Sequence, residues 1–372
     1  MATRLTAGDP LADAVVAELD LYGTGARRVL DVGLRRGLAS LDEPPPAAVA
    51  ALLKQVESAP TWVDPLMLHR GDVVSQSVPP MWFGLCSITS ALAYAYASPA
   101  VAGPLARQGQ PAAMAAHRLA KAGVWTRQTI RPGGLLRGAP GYVATVDLRL
   151  RHARMRAKAL KDWDAGAEGL PIGQLDMART WLGITHVAFR TLSVIGIDVT
   201  AEEERSLHQY WSYVAHLLGL DESLYGDVAD RASADRLRDL LDWATAAPDE
   251  NSRALTRAMI DAQARAMAAA PDAVLSEDQL RVLIHNVLRR SFGDGTADRL
   301  GIPTPTATDL MPLIGTLNRQ ARYWQTFSPA SAQAARRQEP EAAEPEPTAV
   351  VLPLGIALRQ GTAVSHRAPT AA

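Results

Sequence analysis

The chain has 372 residues, of which 48% are apolar and 21% charged, with a net charge of −1. That is the balance of a globular protein long enough to bury a sizeable core, and it lacks the cationic excess that would displace counterions from a nucleic acid. The single cysteine, Cys86, excludes an internal disulfide and any two-cysteine metal site.

The N-terminal stretch is interrupted by Asp9, Asp13, Glu18 and Asp20, where a secretory signal needs an unbroken apolar run. A cytoplasmic location is the expectation. Helical patterning then runs over Leu11–Arg36, breaks at the EPPP of Glu43–Pro46, and resumes over Pro46–Ser58. From Val73 to Ala106 there is no charged residue. Met81–Ser98 approaches bilayer length, but it carries Ser87, Thr89, Ser90, Tyr94 and Tyr96 and is bounded by Pro79, Pro80 and Pro99. These features favour a buried core helix over a membrane span. Trp82 and Phe83 within it either fill a core or line an apolar channel.

Helices are expected again over Asp147–Trp163, Leu175–Ile195, Ala201–Leu218, Arg231–Ala246, Asn251–Ala270 and Glu277–Arg290. Thr200 and Ser276, each followed by acidic residues, read as N-caps. Tyr142–Val146 is the best short strand candidate, and a poor one. The Pro/Glu/Ala-rich residues 331–372 read as disordered. Residues 1–59 are expected as an N-terminal helical region, forming one unit with a domain over 60–328.

No Walker loop, GxGxxG, GxSxG or HExxH occurs, so nucleotide, hydrolase and zinc readings have no support. The segment DLRLRHARMRAKALKDW is more informative. At about 100° per residue, Leu148, His152, Met155 and Ala159 share one helix face. Arg151, Arg154 and Lys158 flank it on one side, and Arg149 and Arg156 on the other. A histidine on an apolar face is either a hydrogen-bonded core residue or a ligand. In HRLAKAG, Arg118, Lys121 and Ala122 share a face. The span Val73–Val146 contains six arginines and lysines but no acid. Its cations therefore need partners from distant carboxylates or from an anionic ligand.

Three features resemble the latex clearing protein and MpaB-type oxygenases. Arg118-x-x-Lys121-Ala122 is similar to a family Arg-x-x-Lys-Thr motif. Arg149–Ala153, with His152 placed 34 residues after Arg118, resembles the segment of the proximal haem histidine. Pro171–Ala178, then Thr200, Glu202 and Glu203, then Tyr210–Tyr213, follow in family order. The resemblance implies an all-α protein with a globin-like haem-binding core and additional helices. It implies haem b, with His152 as iron ligand and Lys121 as a distal ligand that leaves when oxygen binds. Arg118, Lys121, Ala122, Arg149 and Arg156 would surround the cofactor, with Arg118 and Lys121 in catalytic roles. The implied reaction is oxygenation of a small apolar molecule, such as an isoprenoid or natural-product intermediate, by dioxygen. The alternatives are a peroxidase-like haem oxidation and a haem-binding helical protein without turnover. Two departures argue against rubber cleavage: Ala122 replaces the family threonine, and no distal glutamate is present in the acid-free span. Nucleic acid is not an expected partner, and a membrane is a disfavoured one. Asp176 reads as a helix-dipole partner, His186 as a core or distal-pocket residue, and His208 and His216 as core.

Overall fold

The computed structural model describes residues 7–271, 273–305 and 309–327, apart from the side chains at 167, 168, 326 and 327. Residues 331–372, expected to be disordered, lie outside the described residues. Every regular element described is helical. In order they are α1 (Pro10–Arg36), α2 (Ala47–Glu57), α3 (Pro65–Gln76), α4 (Pro80–Tyr96), α5 (Pro99–Ala106), α6 (Pro111–Ile130) and α7 (Pro140–Ala159). There follow α8 (Gln174–Leu182), α9 (Ala188–Val194), α10 (Ala201–Leu217), α11 (Arg231–Ala244), α12 (Glu250–Ala268), α13 (Glu277–Phe292), α14 (Asp294–Arg299) and α15 (Met311–Phe327). The doubtful strand at Tyr142–Val146 is the first part of α7. Pro140 starts that helix seven residues earlier than its charged pattern suggests, because proline is well tolerated in a first turn.

Local chemistry accounts for most helix starts. The Asp9, Asp64, Asp230 and Asp249 carboxylates each accept a backbone N–H three residues on. Thr200 and Ser276 do the same with their hydroxyls, and Glu203 and Gln279 reach back to the cap N–H groups. These are capping boxes. α1 is kinked at Gly23, whose φ of 66° suits glycine.

Two buried apolar clusters form the core. The first joins α1, α2, α3, α7, α8 and α10. The second joins α4, α5, α9, α12, α13 and α14. Helix α6 serves both: Ala115 and Leu119 enter the second cluster, whereas Trp125 and Ile130 pack on the first. The charge-free segment behaves as a core element, with Leu85, Cys86, Ala93, Tyr96 and Ala102 buried in the second cluster. No single helix among the described residues is long and apolar enough to cross a membrane. The bent pair α4–α5, turning by 95°, meets that test by length and composition only. Two π-helical turns, Gly84–Thr89 within α4 and Gly183–Val187 between α8 and α9, pack against one another.

Candidate active site

The site is built on α6 and α7. The Trp125 indole N–H donates to Thr145 Oγ1 at 3.1 Å, and Gly141 lies against the backbone of Gln128 and Thr129. These two contacts fix the pair as antiparallel and define the faces that meet. Arg118 lies seven residues before Trp125, and His152 seven residues after Thr145. Each is about two helical turns from that hydrogen bond and on the bonded face. Arg118 and His152 therefore lie at the same end of the α6–α7 pair. Lys121 and Ala122, one turn from Trp125, share the Arg118 face.

Helix α5 lies beside this end of the seam. Arg118 donates through Nη2 to the Leu105 carbonyl at 2.7 Å, and its charge lies beside Tyr96. Burial raises the Tyr96 phenol above its ordinary range, and Arg118 opposes that shift. Lys121 is exposed, with no ion pair or hydrogen bond among the described residues.

His152 is half-buried, and its Nδ1 is buried without a hydrogen-bond partner. Burial lowers its pKa to about 4, helped by the cations Arg156 and Arg151 and opposed by Asp9. The imidazole is therefore neutral at pH 7, the state in which a histidine ligates a metal. Leu148 and Met155, on the same side of α7, pack against the first core cluster. Histidine on an apolar face had two readings, and the first required a hydrogen-bond partner. Among the described residues none is found for Nδ1, a state shared by buried ring nitrogens of His186, His208 and His216.

The two arginines flanking His152 are differently placed from expectation. Arg149 is 3% exposed and grips Asp9 through Nε and Nη2 at 2.5 and 2.9 Å, with Nη1 on Gln55 at 2.8 Å. Arg156, equally buried, holds Asp13 at 2.8 Å and the Ile172 carbonyl. Their charges are answered by the start of α1. Elsewhere, distant groups also supply partners to the acid-free span. Arg107 lies over Trp163 and reaches the Asp162 carbonyl, and Arg137 approaches Glu57 at 3.9 Å.

The Pro171–Ala178 segment completes this clamp. Gln174 donates its backbone N–H to the Ala7 carbonyl, and its side chain bonds Gly8, Gly219 and Asp221. Ile172 has φ 53°, a strained value for a β-branched residue, at the point where its carbonyl meets Arg156. Asp176 caps α8: its oxygens accept from Gly173 N–H and from the Ser98 hydroxyl. Asp9, Asp13 and Gln55 are residues that sequence reasoning did not assign to this region. Their partners lie far along the chain, and no local pattern announces such pairs.

The remaining candidates belong elsewhere. His186 sits in the second π-turn with Nε2 2.9 Å from Asp235, and burial lowers its pKa to about 4. His208 is buried edge-on to Phe189, and His216 stacks on Tyr213. Trp82 is buried in the second cluster and Phe83 packs against it. No group of three or more His, Cys, Asp or Glu suited to a metal ion occurs among the described residues. A porphyrin supplies its own equatorial nitrogens, so a haem asks the protein for an axial histidine rather than such a cluster. His152, neutral and with Nδ1 unpartnered, fits that requirement.

Residues 75–326 match the catalytic domain of the family described as ER-bound oxygenase mpaB/B'/Rubber oxygenase. The chain belongs to this oxygenase family. A solved structure of latex clearing protein LCP in the closed state superposes with a TM-score of 0.65 at 20% identity, covering 90% of this chain and 89% of that one. At that identity the likeness is one of fold, and it agrees with the all-helical architecture. No curated protein matches the chain. The matched region contains α6, α7 and the Pro171–Ala178 segment, whereas Asp9 and Asp13 precede it.

Proposed function

We propose that the protein is a haem b-dependent oxygenase of a small apolar substrate, with His152 as the proximal iron ligand. One observation carries the reading: within an oxygenase catalytic domain, a neutral histidine without a partner on Nδ1 lies at the same end of the α6–α7 pair as Arg118. When bound, the haem supplies the dioxygen chemistry. His152 holds it by ligation. Arg118 and Lys121 provide cations for its propionates, and Lys121, exposed and unpaired, can turn between solvent and the distal side. Ala122 adds no hydroxyl to that side. The charge-free wall of α4 and α5 favours an apolar substrate and excludes water. The absence of any acid from Val73 to Val146 leaves no carboxylate in that span for the base that the resemblance assigns to rubber cleavage.

The surroundings of His152 also favour oxygenation over peroxidase-like oxidation. A carboxylate accepting from the far nitrogen of a ligating imidazole increases its basicity and assists peroxide cleavage. Asp9, the carboxylate that acts on His152, is committed to Arg149. The test is an absorption spectrum of the purified protein, with pyridine haemochrome analysis. A non-covalent b-type haem is expected, together with oxygen uptake that needs substrate and no peroxide. A protein that stays colourless after reconstitution with haem would refute the assignment.

A further inference from the structure

Two carboxylates at the start of α1 hold α7 on either side of His152. Arg149 precedes His152 by three residues and Arg156 follows it by four, so each lies one helical turn from the imidazole. At about 100° per residue both arginines fall on the same flank of it. Asp9 takes Arg149 in a two-pronged pair at 2.5 and 2.9 Å, and Asp13 takes Arg156 at 2.8 Å. The first pair is closely enclosed: a Cβ on Gly219 would lie 2.3 Å from Arg149 Nε and 2.5 Å from Asp9 Oδ2. The second is backed by the Ile172 carbonyl, in the residue whose φ of 53° only a determined environment maintains. Gln174 ties the chain leading into α1 to this point through the Ala7 and Gly8 carbonyls. A buried ion pair is a weak source of net stability, but its geometry is exacting.

We propose that Asp9 and Asp13 are positioning residues for His152: by clamping the arginines one turn before and one turn after it, they fix the stretch of α7 that presents the imidazole to iron. The inference rests on His152 as the iron ligand and concerns how the ring is held. A ligating group must stay within about 0.5 Å of its productive place. The usual device for a histidine is a hydrogen bond to its far nitrogen. None is found for Nδ1 of His152 among the described residues, so the placement of the ring falls to the backbone that carries it. Arg149 and Arg156 bracket seven residues of rise, about 10.5 Å of helix, with His152 near the middle. A second pair provides a matched reference away from α7. Asp242 holds Arg179 at 2.7 Å, with side chains 44% and 4% exposed, against 39% and 3% for Asp13 and Arg156. Arg179 also donates to a carbonyl, that of Tyr94, as Arg156 does to Ile172.

The experiment compares Asp13→Asn with Asp242→Asn in the full chain. Asp13 is the residue to change because Arg156 then keeps the Ile172 carbonyl, whereas Asp9→Asn removes the carboxylate from a fully enclosed guanidinium. In haem-loaded protein, Asp13→Asn should release haem to excess apomyoglobin about tenfold faster than wild type, the lower end of the effect of losing a group that orients a ligand. Asp13→Glu should restore most of the wild-type rate, and Asp242→Asn should leave it unchanged. At full occupancy, the ferrous iron–histidine stretching band in resonance Raman spectra should shift or broaden in Asp13→Asn alone. In haem-free protein, amide hydrogen exchange over residues 149–156 should quicken in Asp13→Asn and not in Asp242→Asn. Unchanged haem release with an unchanged band in Asp13→Asn would overturn the proposal and leave His152 as the ligand. Equal acceleration by Asp242→Asn would also overturn it, because the effect would then be one of general stability. A wild type that takes up no haem would refute the ligand reading and the positioning role together, and faster exchange over 149–156 would then mark the clamp as structural only.

Discussion

His152 on α7 and His186 in the π-turn share one electrostatic outcome for different reasons. Burial lowers both to about 4. His186 keeps a carboxylate, Asp235, at 2.9 Å, and Asp235 is also held by Arg190 and Arg238. His152 has cations on either side and an Nδ1 with no partner. His186 also keeps a buried Nδ1 without a partner, but its Nε2 is held by a carboxylate, whereas His152 is flanked by cations. Burial and a low pKa alone therefore do not mark a site; the difference lies in whether a carboxylate holds the ring.

The largest expected effect comes from deleting each ring. His152→Ala should lose most bound haem, while His186→Ala should retain a normal Soret band and lose stability instead. Haem per protein, from pyridine haemochrome absorbance, checks this. A reversed result would exchange the two roles.

The next effect concerns the carboxylates. Asp9→Asn leaves the Arg149 guanidinium buried without its counter-charge, and breaking a buried pair in this way costs about 3–5 kcal/mol. Asp235 is partly exposed, so Asp235→Asn should cost less, about 1 kcal/mol. Denaturant unfolding of the two variants gives the comparison. Equal losses would mean that the clamp on α7 is no more buried in its energetics than the pair at the π-turn.

A smaller effect should appear in the pH dependence of stability. His186 titrates near 6.5 when unfolded and at about 4 when folded. Between those values the unfolded chain binds the additional proton, so stability should fall as pH drops from about 6.5 towards 4. Burial lowers His208 and His216 in the same direction. His186→Phe should flatten part of that slope. If the slope persists unchanged, the ring titrates alike in the folded and unfolded chains.

The smallest change is spectroscopic. Lys121→Ala should keep its haem but shift the ferric spectrum from six-coordinate towards five-coordinate or water-ligated. An unchanged spectrum at full occupancy would place Lys121 with the propionates or at the surface.

The candidate site was only partly legible along the chain. The face shared by Leu148, His152 and Met155, and the grouping of Arg118, Lys121 and Ala122, follow from helical period. The roles of Arg149 and Arg156 did not, because their partners Asp9 and Asp13 are about 140 residues away. An arginine beside a candidate ligand looks the same in sequence whether it serves the ligand or a carboxylate. Asp176 was readable as an N-terminal helix partner because its capping bond to Gly173 is local.

By itself the sequence determined the helical class and most helix starts, since periodicity, capping residues and prolines act within a few positions. It also determined that α4 and α5 carry no charge and that the chain has the motif order of its oxygenase family. Only the tertiary structure decided which face of α6 meets α7, what answers each buried arginine, and which histidine is held by a carboxylate. Those outcomes depend on packing between segments far apart in the chain, and the free energy of a buried charge is set by that packing rather than by neighbouring residues.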